Sequence, residues 1–245
     1  MLSKANIKYI KSLQVKKYRK QEQCFLVEGA KSVTELLSSD FEVIKLLGTA
    51  SFLSGLKGKA NAEIVEVSEK ELEGLGEFQT NNTTLAVARM KKNQEPELAR
   101  QEFALVLDDI RDPGNLGTII RTADWYGINK IIASTETADF YNPKVISATM
   151  GSFTRVEIFY TDLTAYLSKV KQPIFGAYLN GSDVHQTKFG KGGLVPIGNE
   201  SHGISPELEK FVTNKITIPR YGRAESLNAA IATAIICDNI ARNLN

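Results

Sequence analysis

Along the first part of the chain, short β-rich apolar runs alternate with stretches of helical spacing: residues 24–27, a helix over 30–37, then 41–47, 64–67 and 85–90. Such alternation predicts a small α/β unit, in which strands and helices cover each other's apolar faces. Residues 91–101 break the pattern with charged side chains, one proline and no β-branched residue, the composition of a linker. The expected domains are therefore 1–95 and 96–245. In the second domain, strands are predicted at 104–107, 130–133, 156–160, 174–178, 194–197 and 215–218. Several are continuous apolar runs, as parallel strands covered on both faces require. Helices are predicted at 116–126, 163–170 and 227–242. In the last, Leu227, Ala230, Ile231, Ala234 and Ile235 form the expected core-facing stripe, which turns polar at Asp238.

Composition adds bounds. With 245 residues and 42% hydrophobic content, the chain can bury one large core or two modest ones. The apolar run 229–237 is too short to span a bilayer and soon meets Asp238 and Asn239, and no signal-like segment opens the chain. A cytoplasmic protein without membrane contact is expected. Cys24 and Cys237 have no metal-ligand spacing and read as reduced, buried thiols, while His185 and His202 read as ordinary surface or turn residues; no metal is expected. A nucleotide-dependent oxidoreductase or hydrolase is disfavoured, because Gly74-Leu75-Gly76 lacks a third glycine and no Gly-Lys-Ser/Thr loop occurs. Net charge is only +2, but the first twenty residues hold Lys4, Lys8, Lys11, Lys16, Lys17, Arg19 and Lys20 with no acid, and Tyr9 and Tyr18 lie among them. That segment is either an RNA-binding surface that contacts phosphates or a solvated basic helix face.

Three segments of the second domain carry candidate chemistry. In the first, residues 107–121, Asp112-Pro113-Gly114 turns the chain, Asn115 is suited to cap a helix, Gly117 allows close approach, and Arg121 follows more than a turn later. By itself this is a capped helix. The second, residues 194–204, ends a buried strand in a polar turn, Gly198-Asn199-Glu200, at the strand end where open α/β sheets bind ligands. The third, residues 216–230, places Ser226 at the expected helix cap and leaves the side chain of Asn228 without a local task.

Asn-x-Gly-x-x-x-Arg at Asn115, Gly117 and Arg121, Gly-Asn-Glu at 198–200 and Ser-Leu-Asn at 226–228 together resemble the three motifs of the SpoU/TrmH family of RNA ribose methyltransferases. Phe25-Leu26-Val27-Glu28-Gly29 is similar to part of the small α/β (L30e-like) RNA-binding domain that precedes the catalytic domain in many members. The resemblance implies a C-terminal parallel-sheet SPOUT domain with a trefoil knot, a device otherwise nearly absent from proteins. It also implies a homodimer with its active site near the interface, S-adenosylmethionine as methyl donor, and a structured RNA as substrate. The implied cofactor site uses Tyr178, Leu179 and Asn180, then Ile197, Gly198, Asn199 and Gly203, and finally Ile218 and Leu227. Arg121 takes the leading part at the ribose hydroxyl, surrounded by Asn115, Glu200, Ser226 and Asn228. Since a guanidinium stays charged below a pKa of roughly 12, Arg121 is expected to clamp a phosphate and steady developing oxyanion charge. The chain departs from many relatives in having Arg220 in place of methionine and Ala229 in place of valine. The expected substrate is 23S ribosomal RNA; a transfer RNA methyltransferase and a non-catalytic RNA-binding protein of the same fold are the alternatives.

Overall fold

A computed structural model of the chain describes residues 2–56, 62–78 and 80–244. In chain order its elements are α1 Lys4–Ser12, α2 Lys16–Glu22, β1 Cys24–Glu28, α3 Ala30–Leu37, β2 Val43–Gly48, α4 Ala50–Ser54, β3 Glu63–Glu66, α5 Glu69–Glu73 and β4 Thr84–Arg89. They continue with β5 Phe103–Leu107, α6 Pro113–Trp125, β6 Lys130–Ala133, α7 Pro143–Thr149, β7 Glu157–Tyr160 and α8 Leu163–Leu167. The last are β8 Phe175–Asp183, β9 Gly193–Ile197, α9 Pro206–Glu209, β10 Asn214–Thr217 and α10 Ala229–Leu244. The chain forms two compact units: the first comprises 1–92 and 139–154, the second 93–138 and 155–245. Among the described residues no helix is long and apolar enough to cross a membrane.

The first unit is a mixed sheet of order β1-β4-β2-β3, antiparallel except for β2 with β3. Successive residues of a strand point to opposite faces, and β1 uses both. Cys24 and Leu26 join Ile10, Leu13, Leu47 and Leu85 in one core. Phe25 packs against Phe41, with ring centroids 5.6 Å apart, and against Tyr141 at 4.6 Å and Phe153 at 6.1 Å. Residues 139–154 thus fold with the N-terminal unit although their sequence neighbours belong to the other one.

Lys4, Lys8, Lys11, Lys16, Lys17 and Lys20 are exposed on α1 and α2. Arg19 is not a surface cation as expected. It is 1% exposed, donates to the carbonyls of Leu13 and Gln14, and pairs with Asp139 at 2.6 Å. Its stem and head fill the junction after α1, so it corrects the reading of the basic segment as a uniform phosphate-contacting face.

In the second unit β7-β6-β5-β9 form a fully parallel sheet. β8 and β10 form a parallel pair that joins the edge of β9 through a bridge between Ile174 and Leu194. The chain therefore builds outward from β5 through β6 to β7, crosses back to lay down β8, and inserts β9 between β5 and β8. This reversal of strand order creates a crevice at the carboxyl ends of the strands. The expected linker, residues 91–101, is irregular but tied down: Asn93 donates to the Tyr160 carbonyl and accepts from its N–H, both at 2.9 Å, like a strand neighbour of β7.

Two further expectations change. β8 runs on to Asp183, and α10 turns a different face inward. Ala229, Ala230, Thr233, Ile236, Cys237 and Ile240 are buried, while Leu227 is 46% and Ile231 52% exposed. Both sides of this helix are apolar, and the one richer in small residues turns inward, where α10 packs against α6.

The Arg19–Asp139 pair yields a direct test. Asp139→Ala leaves a buried guanidinium without its counter-charge, and we expect a loss of roughly 3–5 kcal/mol in urea unfolding of this unit. Replacing both residues by apolar side chains, Arg19→Met with Asp139→Leu, should cost much less.

Candidate active site

The helix α6 begins at Pro113, whose missing N–H costs nothing at the first helical position, and its cap is Asp112 rather than Asn115. The Asp112 carboxylate accepts the Asn115 N–H at 2.7 Å. One residue serving as cap frees the other: the Asn115 side chain points away from its own helix. Its Nδ2 donates to Glu200 Oε1, and its Oδ1 accepts from Asn228 Nδ2 at 2.9 Å. Asn228 also does what the sequence assigned to Ser226. Its Oδ1 caps α10 by accepting from the N–H groups of Ala230 at 2.9 Å and Ile231 at 3.3 Å. With that oxygen committed, only the amide nitrogen can face Asn115. Three stretches separated by up to 113 positions meet at one amide.

Beside this junction lies a cavity of about 960 Å³. Its first wall comes from an interruption in β8. Lys215 pairs with Gly176 and Ile216 with Ser182, so residues 177–181 leave the ladder and bring Tyr178, Leu179 and Asn180 to the cavity. Gly181 permits this: a Cβ there would stand 2.7 Å from the Lys215 carbonyl carbon. The second wall is the turn after β9, where Asn199 and Gly203 exchange backbone hydrogen bonds of 3.1 and 2.8 Å. A Cβ on Gly198 would lie 2.0 Å from the Gly203 carbonyl carbon, which no side chain can tolerate. Ile197, Gly198, Asn199, Glu200 and Gly203 line this wall; Ile218, Ser226 and Leu227 line the third.

All nine residues singled out for a cofactor thus border one cavity, together with Glu200 and Ser226. Asn115 and Asn228 adjoin it through Glu200 and Leu227. Arg121 does not join them. It is exposed on α6, outside the Asn115 network and away from the cavity lining of its own chain. Among the described residues no group of three or more potential metal ligands occurs.

The model for the SpoU rRNA Methylase family matches residues 102–238, and that for an MRM3-like substrate binding domain matches residues 4–86. The 23S rRNA (guanosine(2553)-2′-O)-methyltransferase of Bacillus subtilis is 31% identical over 234 residues, which is 94% of this chain and 93% of its own. A solved TrmH-family structure from Porphyromonas gingivalis has a TM-score of 0.89 at 38% identity and covers 99% of both chains. The AdoMet-bound rRNA methyltransferase of Sinorhizobium meliloti gives 0.86 at 29% identity, over 100% of this chain and 98% of its own. Fold and site define an α/β methyltransferase of the SPOUT class. The chain belongs to the SpoU rRNA methylase family.

One member of the site escaped the sequence. Asp109, just after β5, has φ +61° without being glycine. Its N–H donates to Ser134 Oγ at 3.1 Å and its carbonyl accepts from Asn199 Nδ2 at 2.8 Å. Its carboxylate takes Arg111 Nε at 2.6 Å on one oxygen and stands 3.3 Å from His202 Nε2 on the other. His202, read from the sequence as an ordinary turn residue, lines the cavity. Asp109 thereby holds the Gly198–Gly203 turn from outside, through the side chains of Asn199 and His202. The only signal in the sequence was a second acid after a buried strand, Asp108-Asp109, which a solvated turn would also show.

Arg111 first, and His202 after it, hold the Asp109 carboxyl below its ordinary value of 3.8. A depressed carboxyl stabilises the fold above its unfolded pKa and loses that contribution as pH falls through the folded one. Asp109→Asn should therefore be less stable than the parent at neutral pH, and the two denaturation midpoints should converge as pH falls below the ordinary carboxylate range. A gap that stays constant across the acid range would refute the assignment.

Proposed function

We propose that this chain transfers a methyl group from S-adenosylmethionine to a ribose 2′-hydroxyl of 23S ribosomal RNA, working as a homodimer. The observation that carries the reading is the Asn115 amide, which binds Glu200 and Asn228 together at the edge of a cavity large enough for a nucleoside-sized ligand. The residues present suit the donor. Ile197, Ile218 and Leu227 offer apolar surface to an adenine, while the irregular backbone at 178–180 and 198–203 presents peptide groups instead of a filled ladder. Bound there, the donor supplies an electrophilic methyl carbon on a sulfonium.

A ribose hydroxyl must lose its proton as it attacks, so a nearby acceptor is needed. Glu200 fits that need: Asn115 occupies one carboxylate oxygen and orients the other. Arg121 is too basic to accept the proton and acts as an anion clamp on the RNA backbone. Arg121 is not among the residues that line its own chain's cavity, and this supports the dimer reading. The outward apolar side chains Leu227, just before α10, and Ile231 on it, with Trp125, 83% exposed at the end of α6, supply an interface that a single copy leaves in water. Across it, Arg121 of one copy completes the site of the other. The N-terminal unit, with the six exposed lysines of α1 and α2, holds the RNA through phosphates.

Mapping 2′-O-methylation in ribosomal and transfer RNA from cells with and without the protein tests the activity and its substrate; a single missing mark in 23S rRNA is expected. Two variants test the site. Gly198→Ala should abolish S-adenosylmethionine binding by calorimetry while the protein stays folded, because the new methyl displaces the cavity wall. Mixing Arg121→Ala with Asn228→Ala subunits should restore about a quarter of parental activity, since half the dimers are mixed and each has one intact site. No recovery on mixing would place Arg121 and Asn228 in the same chain's site.

A further inference from the structure

The loop from β10 to α10 reads Pro219-Arg220-Tyr221-Gly222-Arg223-Ala224-Glu225, with two arginines and one acid. Tyr221 is 96% exposed, more than any other large apolar side chain among the described residues, and it borders the cavity. A ring held in water gains nothing from burial on folding, so packing of this chain does not explain its position. The loop is nevertheless shaped: Arg220 Nη1 donates to the Ala224 carbonyl at 3.3 Å and closes a turn over residues 220–224. Downstream, Asn228 anchors the chain as the cap of α10. A Cβ on Gly222 would meet nothing within 4 Å, so the space beside the ring is open.

We propose that Tyr221 is a stacking platform for an unpaired RNA base beside the target ribose, with Arg220 and Arg223 against its flanking phosphates. The inference rests on the methyltransferase reading and adds to it the form of substrate the site accepts: an unstacked nucleotide in a loop or bulge. Proteins read single-stranded RNA by stacking splayed bases on aromatic rings and neutralising the backbone beside them. Two guanidiniums next to the ring favour a polyanion over a second copy of the same cationic loop.

The test uses the full-length protein and ribosomal RNA purified from cells that lack it, with RNA affinity, methyl transfer, S-adenosylmethionine affinity and oligomeric state measured separately. Tyr221→Ala should weaken RNA binding and raise KM for RNA by about tenfold or more. Tyr221→Phe, which keeps the ring, should stay within about twofold of the parent, and Arg223→Gln should lower the salt dependence of RNA binding by about one ion. Donor affinity and dimer state should not move. RNA affinity indifferent to the ring, in an enzyme that methylates fully, would overturn the stacking role alone; so would loss of the dimer in Tyr221→Ala. Ring-dependent RNA binding in a protein that transfers no methyl would support the platform and remove the enzymatic reading instead.

Discussion

A carboxamide has one donor end and one acceptor end, and at Asn115 both are used. The carboxylate of Glu200 can only accept, and Asn228 can only donate because its oxygen caps α10. Each of the three side chains therefore fixes the orientation of the next, and none can turn over without leaving a polar group unpaired. The helix start at Asp112, the turn after β9 and the start of α10 are brought into register by this one group. An aspartate at 115 would set two carboxylates against each other, and an alanine would leave Glu200 and Asn228 with no common partner. The cavity beside it keeps its shape because these three elements cannot drift apart independently.

Much of this was readable in the chain. The strands of the second unit lie within about a residue of their predicted positions except where β8 continues, because long apolar runs report burial on both faces directly. The motif residues were also legible, and the structure brings the cofactor set around one cavity. What stayed hidden depends on partners distant in sequence or on a choice between equal local options. Asp112 and Asn115 are both good caps, and Pro113 decides between them by fitting the first helical position. Arg19 sits in a run of cations, and nothing nearby shows that Asp139, 120 positions on, will draw it inside. The face of α10 was misread for a related reason: both of its sides are apolar, and the pattern alone does not say which one packs against α6.

The cavity itself is made of departures from regular structure, which periodicity cannot predict. A continuous β8–β10 ladder would pair residues 177–181 and fill the space with backbone. Instead the strand bows out between Gly176 and Ser182, and after five unpaired residues the ladder resumes with Ser182 opposite Ile216. On the opposite wall Gly198 lets two backbones pass at a distance no Cβ allows. Glycine at these positions leaves peptide groups facing the opening where side chains would otherwise close it. The cavity wall is consequently backbone-rich.

Such a surface needs support from elsewhere, because a polar turn with glycines at both ends has little rigidity of its own. Asp109 provides it from the neighbouring strand end. A left-handed backbone at a residue with a side chain costs on the order of 1 kcal/mol, and it persists only where surrounding bonds over-determine it. Here they do: the N–H is held by Ser134, the carbonyl by Asn199 and the carboxylate by Arg111 and His202. Glycine would adopt the same φ without strain but would bring no carboxylate. The structure therefore keeps a small local strain at Asp109 in return for a turn whose geometry is set from β5, next to α6 and its Asn115. In this way the strand that begins the parallel sheet governs both the helix that starts the site and the wall that encloses it.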